Sequence, residues 1–278
     1  MSKKIAVIGL GLIGGSFARA FQKYTQHHII GFNRTQSTAQ RALDEGVIDE
    51  IGTPENLKQA DIILLSMYPK VSCDFVEEHI NDFKEGCIIT DDCGIKGYLQ
   101  ERLTGLCQEH GLQYIGGHPM AGREVSGYQA STADLYKGAS MLIVPSEAST
   151  PEGVQEIKAL FAEIGFRQLV ITTAEHHDRM IAYTSQLCHI ISSAYIKSPS
   201  EMEHKGYSGG SYRDLTRVAY LNETMWTELF LENRKALVPE IDEVIKHLTE
   251  YRDCIAAQDE ETLFHLLQEG RKRKEQFG

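Results

Sequence analysis

The chain has 278 residues, of which 42% are hydrophobic and 24% charged, and its formal net charge is -11. This length holds one large domain or two modest ones, and the composition is that of an ordinary globular protein. The acidic balance argues against nucleic acid or an anionic membrane as a partner, and any anionic substrate needs a local cationic pocket.

The N-terminus enters a strand after four residues with no signal-peptide pattern, and no apolar run approaches membrane-spanning length. The six cysteines contain no C-x-x-C pair. Free thiols in a reducing, cytoplasmic setting are therefore expected.

The apolar run at 5–8 reads as a buried parallel strand, and 16–21 continues as a helix. Between them stands Gly9-Leu10-Gly11-Leu12-Ile13-Gly14. In that context the glycine pattern is a dinucleotide fingerprint. Gly9 makes the turn, Gly11 admits the pyrophosphate, and Gly14 lets the helix pack on the strand. The backbone amides around Leu12 and Ile13 then face the phosphates. The second strand is expected at 28–32, followed by Asn33, Arg34 and Thr35. An acid at Asn33 would hold a ribose 2′-hydroxyl and repel a 2′-phosphate. An amide followed by a guanidinium favours NADP, with NAD the other possibility.

Further strands are expected at 62–66, 87–90, 112–115, 141–144 and 168–172, with helices at 36–45, 73–82, 98–110 and 151–165. The alternation implies an α/β fold with a Rossmann-type, doubly wound parallel sheet. Its strand ends carry Gly9, Asn33, Ser66, Thr90 and His118. Ligands of such sheets lie at these ends, which makes Ser66 a candidate cofactor contact.

His118 follows Gly116-Gly117 and precedes Pro119. The expectation is a rigid corner just past a strand end, where glycines allow close approach of backbone and ligand. An imidazole held there suits proton transfer. A plain loop histidine is the competing reading.

From 174 onward helical periods dominate, at 175–196, 212–221, 222–248 and 259–274. The expected division is a dinucleotide-binding domain over 1–173 and an all-helical domain over 174–278. His176-His177-Asp178 has no partner cluster at zinc spacing, so no metal is expected.

With these motifs in place, the chain resembles the prephenate/arogenate dehydrogenase family of tyrosine biosynthesis. The resemblance rests on the glycine block, on residues 116–131, on 177–189, and on 209–219 followed by Met225-Trp226. It implies a dinucleotide domain followed by a helical dimerisation domain, with no regulatory or mutase domain attached. It also implies oxidative decarboxylation of prephenate, or of L-arogenate, with hydride passing to NAD(P).

By the same resemblance His118 is the proton acceptor. Arg217 and His189 match substrate-binding residues of the family, Glu124 matches an acid at the pocket mouth, and Trp226 matches an aromatic that the family can bring from the neighbouring subunit, a buried aromatic of the helical core being its plainer reading. Arg213, four residues before Arg217, can share its helix face, and two guanidiniums suit a dianionic substrate. Surface salt bridges for the arginines, a core position for His189 and a solvated loop position for Glu124 are the plainer alternatives. Three departures stand out. Gly94 occupies the family's serine position in the run Asp92-Cys93-Gly94-Ile95-Lys96. Gln186 replaces one histidine of a His-Leu-Pro-His motif. Arg123 stands where a small hydroxyl residue is usual. A related β-hydroxyacid dehydrogenase or imine reductase, and a non-catalytic dinucleotide sensor, are the rival functions.

Overall fold

The computed structural model describes residues 2–123 and 125–277. The strands are β1 (Lys4–Ile8), β2 (His28–Phe32), β3 (Glu50–Ile51), β4 (Ile62–Leu65), β5 (Ile88–Asp91), β6 (Gln113–Pro119), β7 (Ser140–Pro145) and β8 (Gln168–Ile171). The interleaved helices are α1 (Leu12–Tyr24), α2 (Gln36–Asp44), α3 (Pro54–Leu57), α4 (Pro69–Glu78), α5 (Gly97–Glu109) and α6 (Pro151–Glu163). Then come α7 (Ala174–Ile181), α8 (Leu187–Tyr195), α9 (Gly210–Thr216), α10 (Glu223–Glu232), α11 (Arg234–Ala257) and α12 (Glu260–Phe277).

The strands form one sheet in the order β3-β2-β1-β4-β5-β6-β7-β8. Sequence order reverses between β1 and β4, which opens a crevice above their carboxyl ends. Alternate side chains feed two cores, as strand pleating requires. Ile5 and Val7 pack with Phe17, Phe21 and Phe161 on one face, and Ala6 and Ile8 pack with Ile63, Leu65 and Leu99 on the other.

Two expectations change here. The sheet is not wholly parallel, because β7 runs antiparallel to β6, pairing Gly117 with Ile143 and His118 with Leu142. Among the described residues the connection from β6 carries only a short 3₁₀ turn at Tyr128–Ala130, with no crossover helix to return the chain to the starting edge. The same ladder extends β6 through Pro119, which places His118 inside a strand rather than in a corner beyond it. The glycines before it are demanded by packing. A Cβ on Gly117 would lie 2.4 Å from the Asp91 carbonyl oxygen, and one on Gly116 2.9 Å from Lys96 Cδ.

The helix expected at 73–82 begins at Pro69, which suits the first turn because it has no N–H to leave unpaired. The helix expected at 175–196 runs as α7 and α8 joined by a π-helical turn, Ala182–Gln186. The single helix expected over 222–248 is divided at Asn233. The Asn233 side chain donates to the Asp178 carbonyl at 2.9 Å and to Gln186 Oε1 at 2.7 Å, and that bonding holds it out of helical geometry. Ala182, Leu187 and Leu237 form a small core in this helical half.

Candidate active site

The glycine loop is built as the sequence implies. Gly9 has φ +103°, and its N–H donates to the Phe32 carbonyl at 2.9 Å, tying the loop to β2. A Cβ at Gly14 would fall 2.0 Å from the Gly9 carbonyl oxygen and 2.7 Å from Ser66 Cβ, so only glycine fits. A Cβ at Gly11 meets nothing within 4 Å, which leaves open space over the loop. Gly11 caps α1 without a side-chain bond to the first turn. The amides of Leu12, Ile13 and Gly14 are thus left for a ligand, as at phosphate-binding helix starts. The cradle fits a dinucleotide pyrophosphate.

At the end of β2, the Asn33 side chain is occupied within the loop. Its Oδ1 accepts from Leu10 N at 3.0 Å, and its Nδ2 donates to the Thr35 carbonyl at 3.1 Å. Arg34 is exposed and forms no ion pair among the described residues. Thr35 caps α2 without spending its hydroxyl on it. Ser66 follows β4 and donates its hydroxyl to Asp92 Oδ2, at the end of β5. Burial pushes the Asp92 carboxyl up to about 7, against the opposing effect of the Ser66 hydrogen bond.

The half-buried ring of His118 sits one strand further along. Its Nδ1 is 2.9 Å from His177 Nε2, and His177 Nδ1 is 2.7 Å from Asp178 Oδ1. Asp178 Oδ1 also accepts from Lys96 N, and Oδ2 from Gly97 N, both at 2.8 Å, so α7 is fastened to the start of α5. Burial lowers the His118 pKa well below the ordinary 6.5, and His177 and the Lys96 ammonium lower it further. Burial also lowers His177, while the Asp178 hydrogen bond opposes that shift. Beneath the pair, Lys96 and Asp91 form an ion pair with both side chains fully buried. Tyr114 Oη donates to Asp91 Oδ2 at 2.8 Å.

The helical half closes over this edge. A Cβ at Gly94 would lie 4.0 Å from His118 Cε1 and 3.6 Å from Leu229 of α10. Also on α10, the Trp226 ring packs against His189 of α8, with ring centroids 4.0 Å apart and planes tilted by 32°, and against Phe230 at 5.1 Å. His189 Nδ1 donates to the Ser185 carbonyl at 2.9 Å. Arg213 and Arg217 stand one turn apart, since Arg217 N–H bonds the Arg213 carbonyl, and both side chains are exposed on segments packed against α8. Glu124 lies outside the described residues.

The structure thus draws the glycine loop, Asn33, Ser66 and His118 to one edge of the sheet. His189 and the arginines lie on the helices above it, and Gly94, Leu229 and Trp226 lie along the seam. Residue reading missed His177, Asp178, Asp92 and the buried Lys96–Asp91 pair. The His-Asp dipeptide at the start of the helical half was the available signal. Among the described residues no group of His, Cys, Asp and Glu is arranged to hold a metal ion.

Such an edge, with a dinucleotide cradle next to an imidazole kept neutral, defines a dinucleotide-dependent dehydrogenase. Two family models match in succession: prephenate dehydrogenase, nucleotide-binding domain, over residues 17–170, and prephenate dehydrogenase, dimerization domain, over residues 173–269. The chain belongs to the prephenate dehydrogenase family. It is 32% identical to a cyclohexadienyl dehydrogenase of Zymomonas mobilis over 98% of this chain and 95% of that one. The A. aeolicus prephenate dehydrogenase, solved with hydroxyphenyl propionate and NAD+, superposes with a TM-score of 0.89 at 26% identity, covering 100% of this chain and 99% of that one. The Synechocystis arogenate dehydrogenase superposes with a TM-score of 0.84 at 27% identity, covering 99% of this chain and 100% of that one. An imine reductase from Pseudomonas shares the fold alone, at 14% identity.

Proposed function

We propose that this protein oxidatively decarboxylates prephenate to 4-hydroxyphenylpyruvate, with His118 as the proton acceptor. The observation that carries the reading is the His118 ring. Nδ1 is engaged by His177, Nε2 has no hydrogen-bond partner among the described residues, and the environment keeps the ring neutral. A bound nicotinamide supplies the hydride acceptor. The chain supplies the remainder. As C4 of the ring loses hydride, His118 Nε2 takes the proton of the 4-hydroxyl, and a carbonyl forms at C4. The C–CO₂ bond then breaks, and its electrons enter the ring, which becomes aromatic. A proton returns to the oxygen to give the phenol.

Arg217 and Arg213 are assigned to the substrate carboxylates, because two guanidiniums suit a dianion in an otherwise acidic protein. His189, held by the Trp226 ring and the Ser185 carbonyl, is assigned to the same substrate face. Glu124 is assigned to the pocket mouth from the family resemblance. L-arogenate undergoes the same chemistry and differs only in its side-chain amine.

NADP is the favoured cofactor. Asn33 presents no carboxylate, its amide is committed to the loop, and Arg34 and the Thr35 hydroxyl stand beside it to meet a 2′-phosphate. The division into a dinucleotide domain over 1–173 and a helical domain over 174–278, a homodimer formed through the latter, and a cytoplasmic setting complete the proposal.

The test is nicotinamide reduction with prephenate and with L-arogenate, each crossed with NAD and NADP. Turnover of neither substrate overturns the reading. Arg34→Ala is expected to lower the kcat/KM ratio of NADP over NAD. A wild-type preference for NAD together with no effect of that variant would place Arg34 in solvent.

A further inference from the structure

We propose that His177 and Asp178 are positioning residues for His118: they fix its tautomer so that Nε2 is the ring's acceptor. This rests on the assignment of His118 as the base. The Asp178 carboxylate accepts the backbone N–H of Lys96 and of Gly97, each at 2.8 Å. An ionised carboxylate is an acceptor only. Its third contact, His177 Nδ1 at 2.7 Å, therefore carries the hydrogen. A neutral imidazole has one donor and one acceptor nitrogen, so His177 Nε2 accepts. The nitrogen 2.9 Å from it, His118 Nδ1, must then donate. That leaves the lone pair of His118 on Nε2.

Among the described residues nothing else near the ring does this work. With glycine at position 94, no hydroxyl from the turn after β5 reaches His118, and the space where a Cβ would stand is 4.0 Å from Cε1. The buried Lys96 ammonium is committed to Asp91. When the substrate hydroxyl gives its proton to His118 Nε2, Nδ1 keeps its own and continues to donate to His177. His177 stays neutral, and the positive charge on His118 is oriented toward an acceptor and, beyond it, a carboxylate.

The test has two parts. NMR of isotope-labelled histidine side chains, with the His118 signals identified by their loss in His118→Asn, reads the tautomer in the wild-type protein. The Nδ1–H form is expected. The Nε2–H form, the more common one for a free imidazole, overturns the proposal. In the second part His177→Leu removes the acceptor, and kcat is expected to fall on the order of 10²-fold with KM changed little. His177→Gln, whose amide oxygen can accept the same hydrogen, is expected to recover most of that loss. Wild-type kcat in the leucine variant, or equal losses in both variants, overturns the proposal. If the leucine variant does not fold, the wild-type tautomer and the glutamine variant decide. Near-normal turnover in His118→Asn would instead show that the base itself is misassigned, whatever the tautomer.

Discussion

At the scale of single residues, burial and charge around His118 make a kinetic statement. Only the neutral ring accepts a proton, and its pKa is depressed below 6.5 by burial, His177 and Lys96. The fall in kcat on acidification is therefore expected well below pH 6.5, with a flat profile through neutrality. A midpoint at or above 6.5 in a pH–rate profile would contradict a ring held neutral by its surroundings. His118→Asn is expected to retain cofactor binding and to lose roughly 10²–10⁴-fold in kcat, the usual contribution of a positioned base. Asp92 carries the opposite sign. Its carboxyl is raised from 3.8 to about 7, so between those values the folded state binds the proton that the unfolded state has lost. Its contribution to stability is present below the lower value and is lost as pH rises through the upper one. Asp92→Asn should therefore gain in melting temperature relative to wild type as pH goes from acid to neutral, measured without cofactor. A constant difference across that range would show an ordinary ionised carboxylate.

At the scale of elements, the crossing of α1 over β1 is set by one missing methyl. Gly14→Ala would place its Cβ against the Gly9 carbonyl at 2.0 Å, with Ser66 close on the other side. Backbone must move, at a cost of about 1–3 kcal/mol. The expected result is a lower melting temperature together with weakened dinucleotide binding by calorimetry; unaltered binding would mean that the loop tolerates the shift. This element was legible because strand, glycines and helix are contiguous in the chain. The helices of the second half were less so. The π turn at Ala182–Gln186 shifts the phase of the helix, so α8 does not continue the face that α7 begins. The break at Asn233 depends on partners at Asp178 and Gln186, 55 and 47 residues away. No local period announces either.

At the scale of the whole molecule, α11 and α12 leave an apolar stripe uncovered in the single chain. Val238, Ile245, Leu248 and Ile255 are between 52% and 61% exposed, and Phe264 and Leu267 are 60% and 58% exposed. The four on α11 are spaced seven, three and seven residues apart, which fits the two apolar positions of a heptad seam. Together with the match to a family dimerization domain, this predicts a stable dimer at micromolar concentration by sedimentation. Ile245→Glu with Leu248→Glu should shift it toward monomer, because two charges would have to be buried at the seam. A wild-type monomer, or a double variant that still dimerises, would place the interface elsewhere.

The amino-acid order by itself determined what depends on neighbours in the chain. The strand–glycine loop–helix entry, the α/β alternation giving way to helices near residue 174, the absence of an acid at Asn33, and the position of His118 among small residues were all readable as short-range patterns. Only the tertiary structure decided how His118 is held. Its partner His177 is 59 residues distant, and the carboxylate behind that partner is fastened to amides 82 and 81 residues away. The same holds for the antiparallel β7, the reason for Gly116 and Gly117, and the buried Lys96–Asp91 pair. The physical cause is common to all of them. Periodicity encodes which face of an element is buried, whereas a polar contact depends on where sheet register and helix packing bring two distant faces together.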